Sequence, residues 1–101
     1  MTPAPSLEAL LAALSEPRRA QMVRLLEHRQ LTQRDFTEQL AMTQPLVSFH
    51  LRVLTDAGLI ESTVCERIKV YRLNAGTLAL VAQRLTIMAE HATRTAQSPA
   101  C

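Results

Sequence analysis

The stretch Met42-Thr-Gln-Pro-Leu-Val-Ser-Phe-His-Leu-Arg-Val-Leu-Thr-Asp-Ala-Gly-Leu-Ile60 decides how this chain folds. Thr43 stands where a helix begins, and its hydroxyl can accept a first-turn N–H that has no intrahelical partner. Pro45 falls inside that first turn, where a missing N–H costs nothing and a fixed φ is already helical. Val47, Leu51 and Leu54 follow at i, i+4 and i+7 and make one apolar face. Gly58 closes the helix, since glycine enters the left-handed region of a C′ position cheaply. Gln44, Ser48 and Arg52, at i, i+4 and i+8, form a polar stripe directed away from the core face.

On the N-terminal side, Thr32-Gln-Arg-Asp35 reads as a capping box with a short carboxylate in place of the usual Glu or Gln. It opens a helix that buries Phe36 and Leu40, and Ala41-Met42 leaves only a tight connection to the next helix. Further upstream, Ser15-Glu16-Pro17 separates two more helices. The earlier one is capped by Ser6 and carries Leu7, Leu10, Leu11 and Leu14; the later one runs to about His28 with Met22, Val23, Leu25 and Leu26 inward. On the C-terminal side, Ile60, Thr63, Val64, Ile68, Val70 and Tyr71 favour strands. Glu66-Arg67 marks a hairpin tip, and with no Gly or Asn there the turn type stays open. Asn74-Ala-Gly-Thr77 leads into a last helix with Leu78, Val81, Leu85 and Met88 in one stripe, widened by Leu80 and Ile87.

The expected order is ααααββα, a mainly α chain with a β-hairpin wing (α+β). Two helices joined by a short turn and followed by a two-stranded wing define a winged helix-turn-helix. Residues 1–5 read as a disordered arm, 6–94 as the domain and 95–101 as a flexible tail.

At 101 residues this is one small domain with a thin core, yet 48% of its residues are hydrophobic and 20% charged. The surplus apolar surface suggests association with a second copy. Phe36, Phe49 and Tyr71 are the only aromatics, too few for a base-stacking single-strand binder. The net charge of +2 is a mild bias that suits a duplex binder with locally concentrated charge. Ten of the eleven basic residues are Arg, which fits phosphate and base-edge contacts and equally fits a GC-rich genome. Cys65 and Cys101 form neither a disulfide framework nor a CxxC pair. No signal segment or membrane span is present in the sequence, so the expected setting is a reducing cytoplasm. Walker A, G-x-G-x-x-G and H-E-x-x-H patterns are missing, and three histidines on separate elements suggest no catalysis.

The 42–60 run resembles the recognition segment of the ArsR/SmtB family of bacterial repressors, roughly S-Q-P-x-V-S-x-H-L-x-x-L-x-x-A-G-L-V, with Thr43 for Ser and Ile60 for Val. Leu14-Ser-Glu-Pro-Arg-Arg-Ala-Gln-Met-Val-Arg-Leu-Leu26 is similar to the family's L-x-x-P-x-R-x-x-I-L-x-x-L helix, and Val70-Tyr-Arg-Leu73 to its closing wing strand. The resemblance implies a regulator that binds double-stranded DNA at a near-palindromic operator as a homodimer through its first and last helices. The apolar stripes Leu7, Leu10, Leu11, Leu14 and Leu78, Val81, Leu85, Met88 agree with that interface; packing in the chain's own core is the plainer reading of the same residues.

Gln44, Ser48 and Arg52 are the expected base readers, because Gln pairs bidentately with adenine, Arg with guanine, and Ser with either. Thr43 and the free N–H groups beside it suit a phosphate. Pro45 and Phe49 offer apolar contact to a thymine methyl, and Phe49 fits the core edge equally well. Arg34, Arg67 and Lys69 are expected backbone contacts, against the alternative of solvated surface charge. His50 reads as a packed helix residue.

The signal that switches such a regulator is harder to read. The resemblance locates metal-binding Cys-x-Cys pairs where this chain has Thr32 and Arg34. It locates Asp-x-His and His-x-x-Glu zinc ligands where Ala75-Gly-Thr77 and Met88-Ala-Glu-His91 stand. Neither site is inherited. Glu90, His91 and Cys101 remain the candidate ligands for a divalent transition metal (nickel, zinc or cobalt). An exposed helix end with a free tail thiol is the plainer reading. Redox control through Cys65, a small-molecule effector, constitutive action, and a protein-interaction adaptor without DNA binding are the alternatives.

Overall fold

The computed structural model describes residues 6–99, so the expected arm at residues 1–5 and the end of the tail, including Cys101, lie outside the described residues. Eight elements follow in order: α1 Leu7–Leu14, α2 Pro17–Leu26, β1 Leu31–Thr32, α3 Gln33–Leu40, α4 Gln44–Asp56, β2 Ile60–Cys65, β3 Ile68–Leu73 and α5 Ala75–Ala96. The sequence reading missed β1. Its two residues pair antiparallel with β3, Leu31 opposite Tyr71 and Thr32 opposite Val70. The wing hairpin is therefore part of a three-stranded sheet, ordered β1-β3-β2. A two-residue strand leaves no alternation to detect in a sequence.

The helix boundaries follow from their caps. Ser6 accepts the Ala9 N–H and starts α1. Glu16 caps α2 by accepting the N–H groups of Arg18 and Arg19 ahead of Pro17. The box at α3 is complete despite its short carboxylate: Thr32 Oγ1 accepts from Asp35 N at 3.2 Å, and Asp35 Oδ2 accepts from Thr32 N at 2.9 Å. The bond from Thr32 N–H, aided by the Thr32 hydroxyl and by Arg29, holds the Asp35 carboxyl below its ordinary value. Helix α4 ends in a Schellman arrangement, with Gly58 at φ 81°. Its N–H donates to Thr55 O, and the Leu59 N–H donates to Leu54 O. The wing turn resolves as two left-handed residues, Glu66 and Arg67, between the paired Cys65 and Ile68. That is the type I′ geometry, achieved without Gly or Asn.

The core lies between α2, α3, α4 and the base of the sheet. Met22, Phe36, Val47, Leu54 and Leu59 are fully buried, and Leu31, Leu51, Ile60 and Tyr71 close around them. Helix α5 is anchored only at its root, by Thr77 and Val81. From Ala82 onward every described residue is exposed. At about 1.5 Å per residue its 22 residues span about 33 Å, which accounts for the elongated shape of 58 × 27 × 25 Å. The helix continues through Ala96, two residues past the boundary expected from the sequence.

Candidate nucleic-acid interface

Helices α3 and α4 meet through a connection of three residues. Ala41 turns the chain at φ 52°, in the left-handed region, and Met42 then plugs into the core. Thr43 caps α4, accepting the Leu46 N–H at 3.4 Å. The first turn of α4 thus presents its remaining N–H groups outward, next to a residue with none, Pro45. Thr43, Gln44, Pro45, Ser48 and Arg52 are all exposed, whereas Val47, His50, Leu51 and Leu54 are buried. Phe49 is 56% exposed and belongs to the open face rather than to the core edge.

The wing continues this surface. Cross-strand pairing puts Ser62 opposite Tyr71 and Val64 opposite Lys69, so these four share one face of the sheet. Ser62, Lys69 and Tyr71 line a cleft together with Ser48, Arg52, Thr55 and Asp56 of α4. Lys69 therefore stands beside the polar stripe of α4. Arg67 occupies the wing tip. Arg34, at the start of α3, forms an exposed ion pair with Glu38 at 2.9 Å. Such pairs contribute little and release their cation readily to a phosphate. On the other face of the sheet Arg72 is bound to Glu61 and Thr63, which stiffens the hairpin.

Sequence reasoning missed Gln33, whose side-chain amide donates to the main-chain carbonyl of Gln44 at 3.2 Å. It also missed Thr55, Asp56 and Ser62 on the cleft wall. The contact of Gln33 spans two helices and has no local signature, although its place directly after the capping Thr32 marks it as the first residue of α3.

His50 is packed, as expected, at 3% exposure on the inward side of α4. Its Nδ1 lies 3.3 Å from an Arg19 guanidinium nitrogen, and Arg19 Nε donates to Ala13 O at 2.7 Å. Burial holds the His50 pKa below its ordinary value; Glu16 works against that, and Arg19 and Arg18 reinforce it.

The two stripes read as an interface divide by burial. Leu10 and Val81 belong to the chain's own core, and Leu7, Leu14 and Leu78 are half-buried against it. Leu11, Leu85 and Met88 are exposed, as are Leu80 and Ile87. On α5, Leu78, Leu85 and Ala92 repeat every seven residues, as do Val81, Met88 and Thr95, the pattern of a helix-pairing seam. Glu90 and His91 are neighbours on the exposed part of α5, and among the described residues no three His, Cys, Asp or Glu side chains converge on a metal position. Cys65 is a free, exposed thiol on the wing. No helix among the described residues is long and apolar enough to cross a membrane.

A short-turn helix pair, a capped and exposed second helix, and a wing extending its surface define a winged helix-turn-helix. The sequence profile described as "Bacterial regulatory protein, arsR family" matches residues 16–62. An ArsR-like transcriptional regulator from Rhodococcus sp. RHA1 is similar in structure, with TM-score 0.79 and 28% identity, over 89% of this chain and 86% of that one. Reduced HlyU from Vibrio cholerae N16961 is similar with TM-score 0.65 and 25% identity, over 75% of this chain and 81% of that one. The homodimeric winged helix-turn-helix DNA-binding domain of a possible ArsR-family regulator from Mycobacterium bovis shares the fold. Its TM-score is 0.67 at 22% identity, over 87% of this chain and 82% of that one. No curated protein matches the sequence. In its matched segment and its fold the chain is similar to helix-turn-helix transcriptional regulators of the ArsR family.

Proposed function

We propose that the chain works in the cytoplasm as a symmetric homodimer that represses transcription by occupying a near-palindromic operator, one α4 in each of two major-groove half-sites. The observation that carries this reading is the exposure of Gln44, Ser48 and Arg52 on α4 while Val47, Leu51 and Leu54 of the same helix are buried. In this reading Gln44 pairs with adenine, Arg52 with guanine and Ser48 with a neighbouring base. Thr43 and the first-turn N–H groups meet a phosphate, and Pro45 and Phe49 lie against thymine methyls. Arg34, Arg67 and Lys69 neutralise backbone charge and set the register.

Dimerisation is supported by the apolar surface that Leu80, Leu85, Ile87 and Met88 of α5 and Leu11 of α1 leave exposed. The Mycobacterium bovis domain of this fold is homodimeric. Two-fold symmetry then calls for half-sites one helical turn apart or a multiple of it. The repressor role follows from the resemblance of the recognition segment. Metal responsiveness rests on Glu90, His91 and Cys101 jointly, with the last outside the described residues.

Fluorescence anisotropy on the DNA upstream of the chain's own gene tests the reading. The measurement is made with chelator and then with nickel, zinc, cobalt and copper in turn. Tight, palindrome-dependent binding by two chains per operator is the expected result, and one chain per operator or no sequence preference would overturn it. A shift caused by one metal would assign the effector class; indifference to all four would direct the search to redox or small-molecule signals.

A further inference from the structure

We infer that Gln33 is a positioning residue for base reading, holding the first turn of α4 at the angle from which Gln44 meets its base; this rests on the DNA-reading role proposed above. Gln33 is the first residue of α3 and Gln44 the first residue of α4. The bond from Gln33 Nε2 to Gln44 O therefore joins the two helices at their N-terminal ends. The main chain leading to the donor is anchored: the residue before Gln33, Thr32, is locked in the completed capping box with Asp35 and paired with Val70 in the sheet. The acceptor is a main-chain carbonyl, whose second lone pair remains for the helix's own ladder.

Phe36 of α3 and Val47 and Leu51 of α4 are buried in one shared core, on the inner side of both helices. Apolar packing of that kind sets the distance between helices and leaves their ends free to rock by some degrees. A bidentate Gln–adenine contact tolerates about 10–20° of misorientation. Gln33 is the polar strut at the end that matters. It lines one surface cleft with Arg34, Thr37 and Gln44, so the strut sits in the wall of the reading surface itself.

A competing role for Gln33 is a direct bond to a DNA phosphate. The two roles separate in a double-mutant cycle, because the bond reaches the backbone of Gln44 and survives Gln44→Ala. Wild type, Gln33→Ala, Gln44→Ala and the double variant are titrated by anisotropy against the operator, single-base variants of it and a non-cognate duplex, at several salt concentrations. Gln33→Ala should lower operator affinity about two- to twelvefold, the effect of one neutral hydrogen bond. It should relax preference at the same base pair as Gln44→Ala, add nothing in the Gln44→Ala background, and leave the salt slope and non-cognate affinity unchanged. Gln33→Glu keeps the length, removes the donor, and should relax the same base pair. Coincident thermal melts show that the variants fold alike. Additive effects, a uniform loss on all sequences, or a reduced salt slope would assign Gln33 to the phosphate and overturn the inference. If Gln44→Ala relaxes one base pair and Gln33→Ala changes nothing, the inference alone is lost. If wild type itself shows no preference for the operator, the DNA-reading role falls with it.

Discussion

Replacing Arg67 by glycine should make the protein more stable and a weaker DNA binder at the same time. The wing turn holds Glu66 at φ 51° and Arg67 at φ 69°. For a residue with a Cβ, the left-handed region costs about 1–2 kcal/mol. Glycine removes that cost but brings back about 0.5–1 kcal/mol of chain freedom in the unfolded state. The net gain for Arg67→Gly is up to about 1.5 kcal/mol, centred on about 0.75 kcal/mol, which for a domain of this size raises Tm by about 3–6 °C at fixed protein concentration. A glycine at the second position of a type I′ turn is also the residue that the turn itself prefers.

The same change deletes a cation from the wing tip. If Arg67 meets a phosphate, affinity should fall evenly across DNA sequences, and the slope of log K against log salt should shrink by about one unit per protomer. Glu66→Asn serves as the control, since Asn tolerates the left-handed region and leaves every cation in place. It should raise Tm without shrinking the slope. Differential scanning calorimetry and anisotropy from low to high salt measure the two effects on the same samples. A Tm that falls with Arg67→Gly would refute the strain calculation, and an unchanged salt slope would remove Arg67 from the DNA interface.

Leu85→Glu combined with Met88→Glu should separate the proposed dimer into folded monomers and abolish operator binding, because both side chains are nearly half exposed in the single chain and do not support its core; sedimentation velocity with circular dichroism checks this, and a dimer that persists would remove α5 from the proposed interface. Thr32→Ala should cost about 1 kcal/mol by opening the capping box at α3, read as a lower urea midpoint with an unchanged slope. Burial depresses the His50 pKa below 6.5 in the folded state, so the unfolded chain takes up a proton first as the solution is acidified. The stability held by neutral His50 is complete above 6.5 and is lost as pH falls from there through the lowered folded value, and His50→Gln should flatten the urea midpoint over that window.

Much of this fold could be read from side-chain periodicity and caps. The 42–60 run yields α4 because its cap, its in-turn proline, its apolar face and its C′ glycine all agree, and the structure places each of them as expected. Agreement among local signals is what makes a segment readable. The features that escaped depend on tertiary context. β1 is two residues long and exists only because β3 lies beside it. The type I′ wing turn has no glycine, so its residues favour another conformation until the flanking strands impose this one. The DNA candidates Thr43, Gln44, Pro45, Ser48 and Arg52 emerge together on one exposed face because helical spacing alone puts them there. Lys69 joins them through strand register, which no linear spacing reveals. The apolar stripes were readable as stripes, but core and exposed leucines look alike in sequence; only burial separates Leu10 and Val81 from Leu11, Leu85 and Met88.

That separation bears on how pairing could reach the DNA. Leu10 and Val81 root the first and last helices in the same core that holds Val47 and Leu51 of α4. Arg19 adds a polar tie, joining the end of α1 at Ala13 O to His50 on the buried side of α4. His50 Nε2 is the one buried side-chain polar atom without a partner among the described residues. With Nδ1 facing a guanidinium donor, the neutral ring in this arrangement carries its proton on Nε2. An apolar residue of similar size would leave Arg19 with one partner fewer. The buried imidazole thus connects α1, through Arg19, to α4, the helix proposed to read the DNA. Packing resists changes in distance, and directed hydrogen bonds resist rotation. A reading helix whose side chains must meet particular base edges requires both.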